Sequence, residues 1–373
     1  MDRKIRVGLI YGGKSGEHEV SLQTALAVTK AFDFTKYEIV PFYITPQGEW
    51  NKGELLQGPA QNQQQLAFGG SEGGSDHTAL MPLLYSMTQV KKSGDGDRDQ
   101  LEPAIDVMFP LLHGTYGEDG TIQGLFEMAN IPYVGAGVLA SAVGMDKIMM
   151  KKVFAQENLP QCIYRYFNKV QWEKDPNFFI MEVEISLGYP CFIKPANLGS
   201  SVGISKANNR EELIQGIETA LQYDRKVIIE EYIHAREVEV AVLGNDEPEA
   251  SVPGEIVSSS DFYDYQAKYI DGNSAMIIPA ELEQEQADDL RKMAIQAFRA
   301  IDGSGLSRVD FFIRKEDGKV FINEINTMPG FTPFSMYPLL WKETGLSYQE
   351  LLDRLIQLAV ERYNVKQQLK FGM

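Results

Sequence analysis

A short apolar run from Arg6 to Tyr11 ends in Gly12-Gly13-Lys14-Ser15-Gly16. It leads into a segment, Glu19 to Phe32, whose apolar residues Val20, Leu22, Ala25, Leu26 and Val28 recur at helical spacing. Strand, glycine loop and helix in that order open an α/β unit, in which helices must cover the faces of a sheet. Tyr37 to Ile44 reads as a second strand. Ala104 to Leu112 reads as a third, nearly all apolar as a parallel strand buried on both faces should be. Open α/β sheets place ligands beyond the carboxyl ends of their strands. Two segments stand there: the glycine loop, and His113-Gly114-Thr115-Tyr116-Gly117-Glu118-Asp119-Gly120.

The chain has 373 residues, enough for two or three domains. Residues 51–100 differ from the rest: polar Gln61 to Gln65, then glycines interleaved with Ser and Asp, read as an irregular insertion in which Ala79 to Val90 is a candidate strand. Helical sequence runs from Val138 to Asn158, strands follow near Ile163–Phe167 and Pro190–Pro195, and Glu211 to Tyr223 is an amphipathic helix. From Lys226 the sequence turns strand-rich, through Val227–Ile233, Glu237–Leu243, Glu255–Ser258 and Met276–Pro279. A helix from Glu285 to Ile301, strands Arg308–Arg314 and Lys319–Ile325, and a closing helix from Tyr348 to Tyr363 complete it. The expected architecture is α/β and α+β multidomain: an N-terminal α/β domain at 1–137, a central unit at 138–225 and a C-terminal unit at 226–373.

The net charge of -17 disfavours nucleic acid and anionic membrane surfaces as partners. It leaves room for a nucleotide, since a few lysines and backbone N–H groups hold phosphates inside an acidic protein. No window approaches the ~18 apolar residues of a membrane span, and the N-terminal apolar run is too short for a signal peptide. A cytoplasmic protein is expected. Cys162 and Cys191 form no metal or redox pattern, and Cys191 sits in a run that reads as a buried strand.

Several segments carry candidate chemistry. In Arg308-Val309-Asp310 and Asn323-Glu324-Ile325-Asn326, strand alternation puts Arg308 with Asp310 on one face and Glu324 with Asn326 on one face. If the strands pair through the turn at Asp317-Gly318, Asp310, Glu324 and Asn326 converge as hard oxygen donors suited to Mg²⁺ beside a polyphosphate. Taken alone, such a hairpin is more often a solvated face. Its apolar flanking residues argue for a core beneath, and Thr327-Met328-Pro329-Gly330 is a turn able to present backbone N–H groups. Lys194 ends a strand and precedes Gly199-Ser200-Ser201-Val202-Gly203, a lysine followed by a loop of amides and hydroxyls, although the G-x-x-x-x-G-K-[ST] phosphate loop is absent. Val227 to Ile233 reads as a strand able to line an adenine slot. Glu230 and Glu237 are candidates for ribose hydroxyls or ammonium groups. Glu17, at a helix start, has a sufficient structural reason in the helix dipole and a functional one in gripping an ammonium. The aromatic stretch Asp261 to Tyr269 reads equally as a lid or as a packed loop.

Each signal is weak alone, but together they occur in a family's order. GGKSGEHEVS, HGTYGEDGTIQG, MDK at Met145–Lys147, IKPANLGSSVGI, EEYI, REVEVAVL, FYDYQAKY, SRVDFF and INEINTMPGFTPFS resemble the D-alanine–D-alanine ligases over nearly the whole chain outside 51–100. The resemblance implies an N-terminal Rossmann-like (pre-ATP-grasp) domain followed by the two-part ATP-grasp fold. It implies ATP, two Mg²⁺ ions with Mn²⁺ as an alternative, D-alanine as substrate and a homodimer. Lys147 and Lys194 resemble the family's ATP-phosphate lysines, and Gly199, Ser200, Ser201 and Val202 its phosphate cover. Glu230, Glu231, Ile233 and Glu237 match its adenine and ribose positions, and Lys268 a lysine that reaches the transferred phosphate. Asp310, Glu324 and Asn326 match the metal ligands. Arg308 and the Gly330 amide match the pair that steadies the tetrahedral intermediate. Glu17 matches the residue holding the first substrate's ammonium, His113 its neighbour, Ser200 and Tyr269 the link from the lid to Glu17, and Ser335 the contact to the second carboxylate.

Three rivals stand beside this reading. A D-lactate- or D-serine-using ligase keeps the chemistry, but the Tyr263 to Tyr269 segment resembles the dipeptide-forming group. Another ATP-grasp enzyme, such as a glutathione synthetase, conflicts with GEHEVS and HGTYGEDG. A catalytically silent nucleotide-binding module conflicts with the intact Lys147, Lys194, Arg308, Asp310, Glu324 and Asn326.

Overall fold

A computed structural model of the chain describes residues 3–68, 105–199, 202–257 and 275–370. The candidate strand at Ala79–Val90, the aromatic segment from Asp261 with Lys268 and Tyr269, and Ser200 and Ser201 lie outside the described residues.

The first unit comprises β1 (Ile5–Gly12), α1 (His18–Ala31), β2 (Tyr37–Ile44), β3 (Trp50–Lys52), β4 (Val107–Pro110) and α2 (Thr121–Met128). Its sheet runs in the order β3-β2-β1-β4, with β1 parallel to β2 and β4 and β3 antiparallel at the edge. Burial on both faces follows from the sequence. Val7, Leu9 and Tyr11 enter one core with Leu22, Ala25 and Val28 of α1, while Ile10 enters another with Phe42, Met108, Ile122 and Phe126. Gly12 ends β1 at φ 90°, where a Cβ would stand 2.1 Å from the Ile44 carbonyl oxygen, so only glycine lets the chain turn toward α1.

The central unit holds α3 (Val138–Met145), α4 (Lys147–Gln156), β5 (Tyr164–Asn168), α5 (Lys169–Lys174), α6 (Pro176–Ser186), β6 (Cys191–Pro195), β7 (Ser205–Ala207), α7 (Arg210–Ala220) and β8 (Lys226–Glu231). Strands β5-β8-β6-β7 form an antiparallel sheet. The expected boundary at 225/226 therefore assigns to the C-terminal unit a strand that lies within the central sheet. The helical sequence over Val138–Asn158 forms two helices. Asp146 leaves helical geometry at ψ 97° and its carboxylate accepts from the Ile148 and Met149 amides, capping α4. Helices α5 and α6 were not expected. On α6, Ile180 and Val183 are buried while Phe178, Met181 and Ile185 are exposed, so apolar residues surround the helix and the usual period is lost.

The last unit contains β9 (Ala235–Gly244), β10 (Glu249–Ala250), β11 (Gly254–Val257), β12 (Ala275–Ile277), α8 (Gln284–Ala300), β13 (Gly305–Arg314), β14 (Val320–Asn326), α9 (Met336–Glu343) and α10 (Tyr348–Gln367). Its sheet order is β12-β11-β9-β13-β14, with β10 against β9. Val238, Val240, Val309, Phe311 and Ile325 point to one face and pack on Leu290, Ala294, Ala297 and Phe298 of α8 and on Met150 and Phe154 of α4. Helix α10 turns back to the N-terminal sheet, where Leu352, Leu355 and Ile356 join the core of Val7 and Leu9. Arg362 fastens that junction by donating to the carbonyls of Tyr133 and Gly135 and to Ser304. The fold thus brings the ends of β1 and β4 against the polar face of β9, β13 and β14.

Candidate active site

The polar face of the C-terminal sheet is built by register. Asp310 lies opposite Glu324 on β14 and opposite Glu239 on β9, and Arg308 lies opposite Asn326. After Asp310 the pairing with β14 shifts, leaving Asn323 as the extra residue of a bulge. The hairpin closes at Gly318, in the left-handed region at φ 70°, with Arg314 in a bidentate pair with Asp317. The strand pairing expected from alternation is present and sets Asp310 opposite Glu324 and Arg308 opposite Asn326; Glu324 and Asn326 line the cleft described below, whereas Asp310 stands behind Arg308.

Arg308 organises this face. Its Nε and Nη2 atoms each lie 2.7 Å from an oxygen of Asp310, and Nε lies 2.9 Å from Glu239. The side chains of Arg308, Asp310 and Glu239 are 15%, 14% and 8% exposed, so the interaction is largely shielded from water. Burial opposes the guanidinium charge, but the two carboxylates outweigh it and keep Arg308 charged.

A cleft of about 360 Å³ opens beside this face, and Glu17, His113, Lys147, Gly199, Arg308, Glu324, Asn326, Gly330 and Ser335 line it. The N-terminal unit supplies Glu17 and His113. Ser15 Oγ donates to the His113 carbonyl at 2.9 Å and accepts from the Glu17 amide at 3.2 Å, tying the two loops together. Glu17 is buried, and a Cβ on Gly114 would stand 2.7 Å from its Oε2, so the glycine makes room for the carboxylate. His113 is buried, with Nδ1 3.6 Å from Glu118 and Nε2 3.4 Å from Thr24 Oγ1. Burial disfavours its charged ring, yet Glu118 and then Glu17 raise its pKa above the usual value. From the other side, Asn326 accepts from the Met328 amide, and Ser335 Oγ, 3.1 Å from where a Gly330 Cβ would be, lies 2.8 Å from Thr332 Oγ1.

Lys147 starts α4 at the cleft wall. It donates to the Leu198 carbonyl at 2.8 Å and lies 4.0 Å from Glu324. Behind it, Lys194 on β6 meets Glu230 on β8 at 2.6 Å, and Lys151 meets the other oxygen of Glu230 at 3.0 Å. Burial pushes the Glu230 carboxyl up, but the two lysines override it and hold it at about 2. Glu231 points elsewhere and accepts from the Ile163 amide at 2.7 Å. Glu237 stands on β9 opposite Phe312, two residues from Glu239, and Ile233 follows β8 in the connection to β9. Val202 borders a smaller hollow that also touches Glu17, Gly114 and Gly199.

Sequence reasoning missed Lys151 and Glu239. Both had a signal: Lys151 is one helical turn from Lys147, and Glu239 shares strand parity with Glu237.

Among the described residues, no group of three or more His, Cys, Asp and Glu side chains is arranged to hold a metal ion. The donor set here is two carboxylates directly opposed across a strand pair with an amide oxygen near them. That set suits Mg²⁺, which takes one or two protein carboxylates and completes its shell with water and phosphate.

The chain matches two families, one described as "D-ala D-ala ligase N-terminus" over residues 6–136 and one as "D-ala D-ala ligase C-terminus" over 153–357. It is 56% identical over 368 residues to a D-alanine–D-alanine ligase of Bacillus cytotoxicus, covering 99% of each chain. The structure of the D-alanine–D-alanine ligase from Coxiella burnetii matches with a TM-score of 0.78 at 32% identity, covering 98% of this chain and 97% of that one. The VanG D-Ala:D-Ser ligase from Enterococcus faecalis matches with a TM-score of 0.77 at 36% identity, covering 96% of this chain and 100% of that one. The fold is therefore the ATP-grasp fold expected from the motifs. By sequence along nearly its whole length and by architecture, this chain belongs to the D-alanine–D-alanine ligase family.

Proposed function

We propose that this protein joins two D-alanine molecules into D-alanyl-D-alanine for peptidoglycan precursor synthesis, driving the reaction with ATP through a D-alanyl phosphate intermediate. The observation that carries the proposal is one cleft lined together by Glu17, Lys147, Arg308, Glu324, Gly330 and Ser335, contributed by separated parts of the chain.

Oxide is a poor leaving group, so a carboxylate is a poor acyl donor. In the first step a carboxylate oxygen of one D-alanine attacks the γ-phosphorus of ATP, ADP leaves, and the acyl group becomes a mixed anhydride. In the second, the free amine of another D-alanine attacks the acyl carbon, phosphate leaves, and the amine gives up a proton. Glu17 grips the first substrate's ammonium, with His113 beside it, and Ser335 takes the second substrate's carboxylate. Lys147 and Lys194 hold phosphates, and Glu230, Ile233 and Glu237, with the backbone or stem of Glu231, surround the base and ribose. Asp310, Glu324 and Asn326 would hold divalent cations, two Mg²⁺ with Mn²⁺ as an alternative; when bound, these neutralise phosphate charge. Arg308 and the Gly330 amide face the oxygen that gains charge at the tetrahedral stage, where one lost donor typically costs ~10²–10³ in rate. The segment bearing Lys268 and Tyr269, with the Gly199–Val202 loop, excludes water from the anhydride.

A D-serine-using ligase is the second reading, favoured by the match to VanG. We place the enzyme in the cytoplasm as a homodimer with no nucleic-acid or membrane partner. Among the described residues no helix is long and apolar enough to cross a membrane. ADP release from Mg-ATP tests the proposal: it is expected only when D-alanine is present. Nucleotide binding without turnover would support a silent module instead.

A further inference from the structure

One fully buried cation has no part in the reaction as described. Lys151 lies on α4 without solvent exposure, its Nζ 3.0 Å from Glu230 Oε1, 3.6 Å from Cys162 Sγ and 5.6 Å from the centre of the Tyr164 ring. Glu230, 3% exposed, uses its other oxygen to hold Lys194 at 2.6 Å. Two ammonium groups thus share one carboxylate in a region shielded from water, and Lys194 feels a further, weaker attraction from Glu324. A single lysine would suffice to neutralise Glu230. Burying a second is costly unless its charge is answered.

From this geometry we propose that Lys151 is a positioning residue for the nucleotide: by holding Glu230 on its own, it lets Lys194 turn from that carboxylate to a phosphate. This rests on Lys194 being a phosphate ligand. Without Lys151, Lys194 is the sole counter-charge of a buried carboxylate. Its transfer to a phosphate would then strand Glu230 unpaired, and the nucleotide would bear that cost. With Lys151 in place Lys194 is available to a phosphate, and Glu230 keeps a partner throughout. Cys162 and Tyr164 give the Lys151 ammonium its remaining contacts, so it has no need of the cleft.

The test uses ATP and inorganic tripolyphosphate, which carries phosphates without a base, as competing ligands. Lys151→Met is expected to weaken both by roughly ten- to a hundredfold, the worth of one hydrogen bond to a charged group. The KM for D-alanine at saturating ATP is expected to stay within about twofold. A merely structural role would disturb both substrates together. In a background of Glu230→Gln there is no carboxylate to capture Lys194, so adding Lys151→Met should leave tripolyphosphate binding within about threefold of Glu230→Gln alone. This second comparison involves no stranded buried carboxylate and decides the matter even where Lys151→Met alone does not fold. Unchanged tripolyphosphate binding in folded Lys151→Met, or a further tenfold loss in the double variant, would overturn the proposal. Absence of D-alanine-dependent ADP release from the parent enzyme would instead overturn the functional reading on which it rests.

Discussion

Replacing Arg308 separates its charge from its shape. The guanidinium makes two 2.7 Å contacts to Asp310 and one of 2.9 Å to Glu239, and all three side chains are at least 85% shielded. Arg308→Met takes the guanidinium away from two buried carboxylates. Breaking a buried pair in this way costs about 3–5 kcal/mol, a large part of a typical stability of about 5–15 kcal/mol. Arg308→Lys keeps the charge but loses the two-pronged geometry, so about 1.5–3 kcal/mol of charge-assisted bonding is at stake. At a melting shift of about 2–4 °C per kcal/mol, Arg308→Lys should melt roughly 3–12 °C below the parent and Arg308→Met lower still. Catalysis should separate the two effects further. With saturating ATP and D-alanine, ADP formation by folded Arg308→Lys is expected to fall ~10²–10³-fold, because an ammonium on a different stem misses the oxyanion position. A coupled ADP assay on protein first checked by thermal melting reads both quantities. Turnover within about threefold of the parent in folded Arg308→Lys would refute the oxyanion role. An Arg308→Met protein melting at the parent temperature would refute the buried-charge argument.

Gly12→Val places a Cβ 2.1 Å from the Ile44 carbonyl oxygen at a left-handed φ and should cost about 2–6 kcal/mol by denaturant unfolding, whereas Gly58→Ala, with open space around it, should be silent. Glu230 is held at about 2 against an ordinary 4.5, so its stabilisation is fully present above pH 4.5 and is lost as the pH falls toward 2. Glu230→Gln should flatten the stability profile across that window by up to about 1.4 kcal/mol per pH unit, and an unchanged slope would contradict the assignment. Ser347 caps α10 in a reciprocal box with Glu350, so Ser347→Ala should cost about 1 kcal/mol by the same unfolding measurement.

What the sequence made legible follows from local periodicity. The faces of β13 and β14 were readable because alternation is a property of the strand alone, and Arg308, Asp310, Glu324 and Asn326 stand where parity puts them. The glycine loop and the buried strand before His113 were readable for the same reason. The break at Asp146 was not, because an Asp within apolar helical sequence looks like a surface residue until its carboxylate is seen accepting two amides. Helix α6 hid because Phe178, Met181 and Ile185 remain exposed and erase the amphipathic contrast. For Lys151 the helical spacing from Lys147 gave its direction but not its enclosure: its partner, Glu230, lies on β8, far along the chain, and only tertiary structure brings the two together. The return of α10 onto the N-terminal sheet is likewise a long-range contact, since an amphipathic helix shows that it has a partner but not which one.

The central claim, that one cleft activates a D-alanine carboxylate with ATP and delivers it to a second D-alanine, is tested most directly by mass spectrometry of the products formed when D-alanine, D-serine, D-lactate and L-alanine compete in the presence of Mg-ATP. D-alanyl-D-alanine is expected as the main product, formed mole for mole with ADP. A main product carrying serine, lactate or L-alanine, or ADP accumulating without any condensed product, would contradict it.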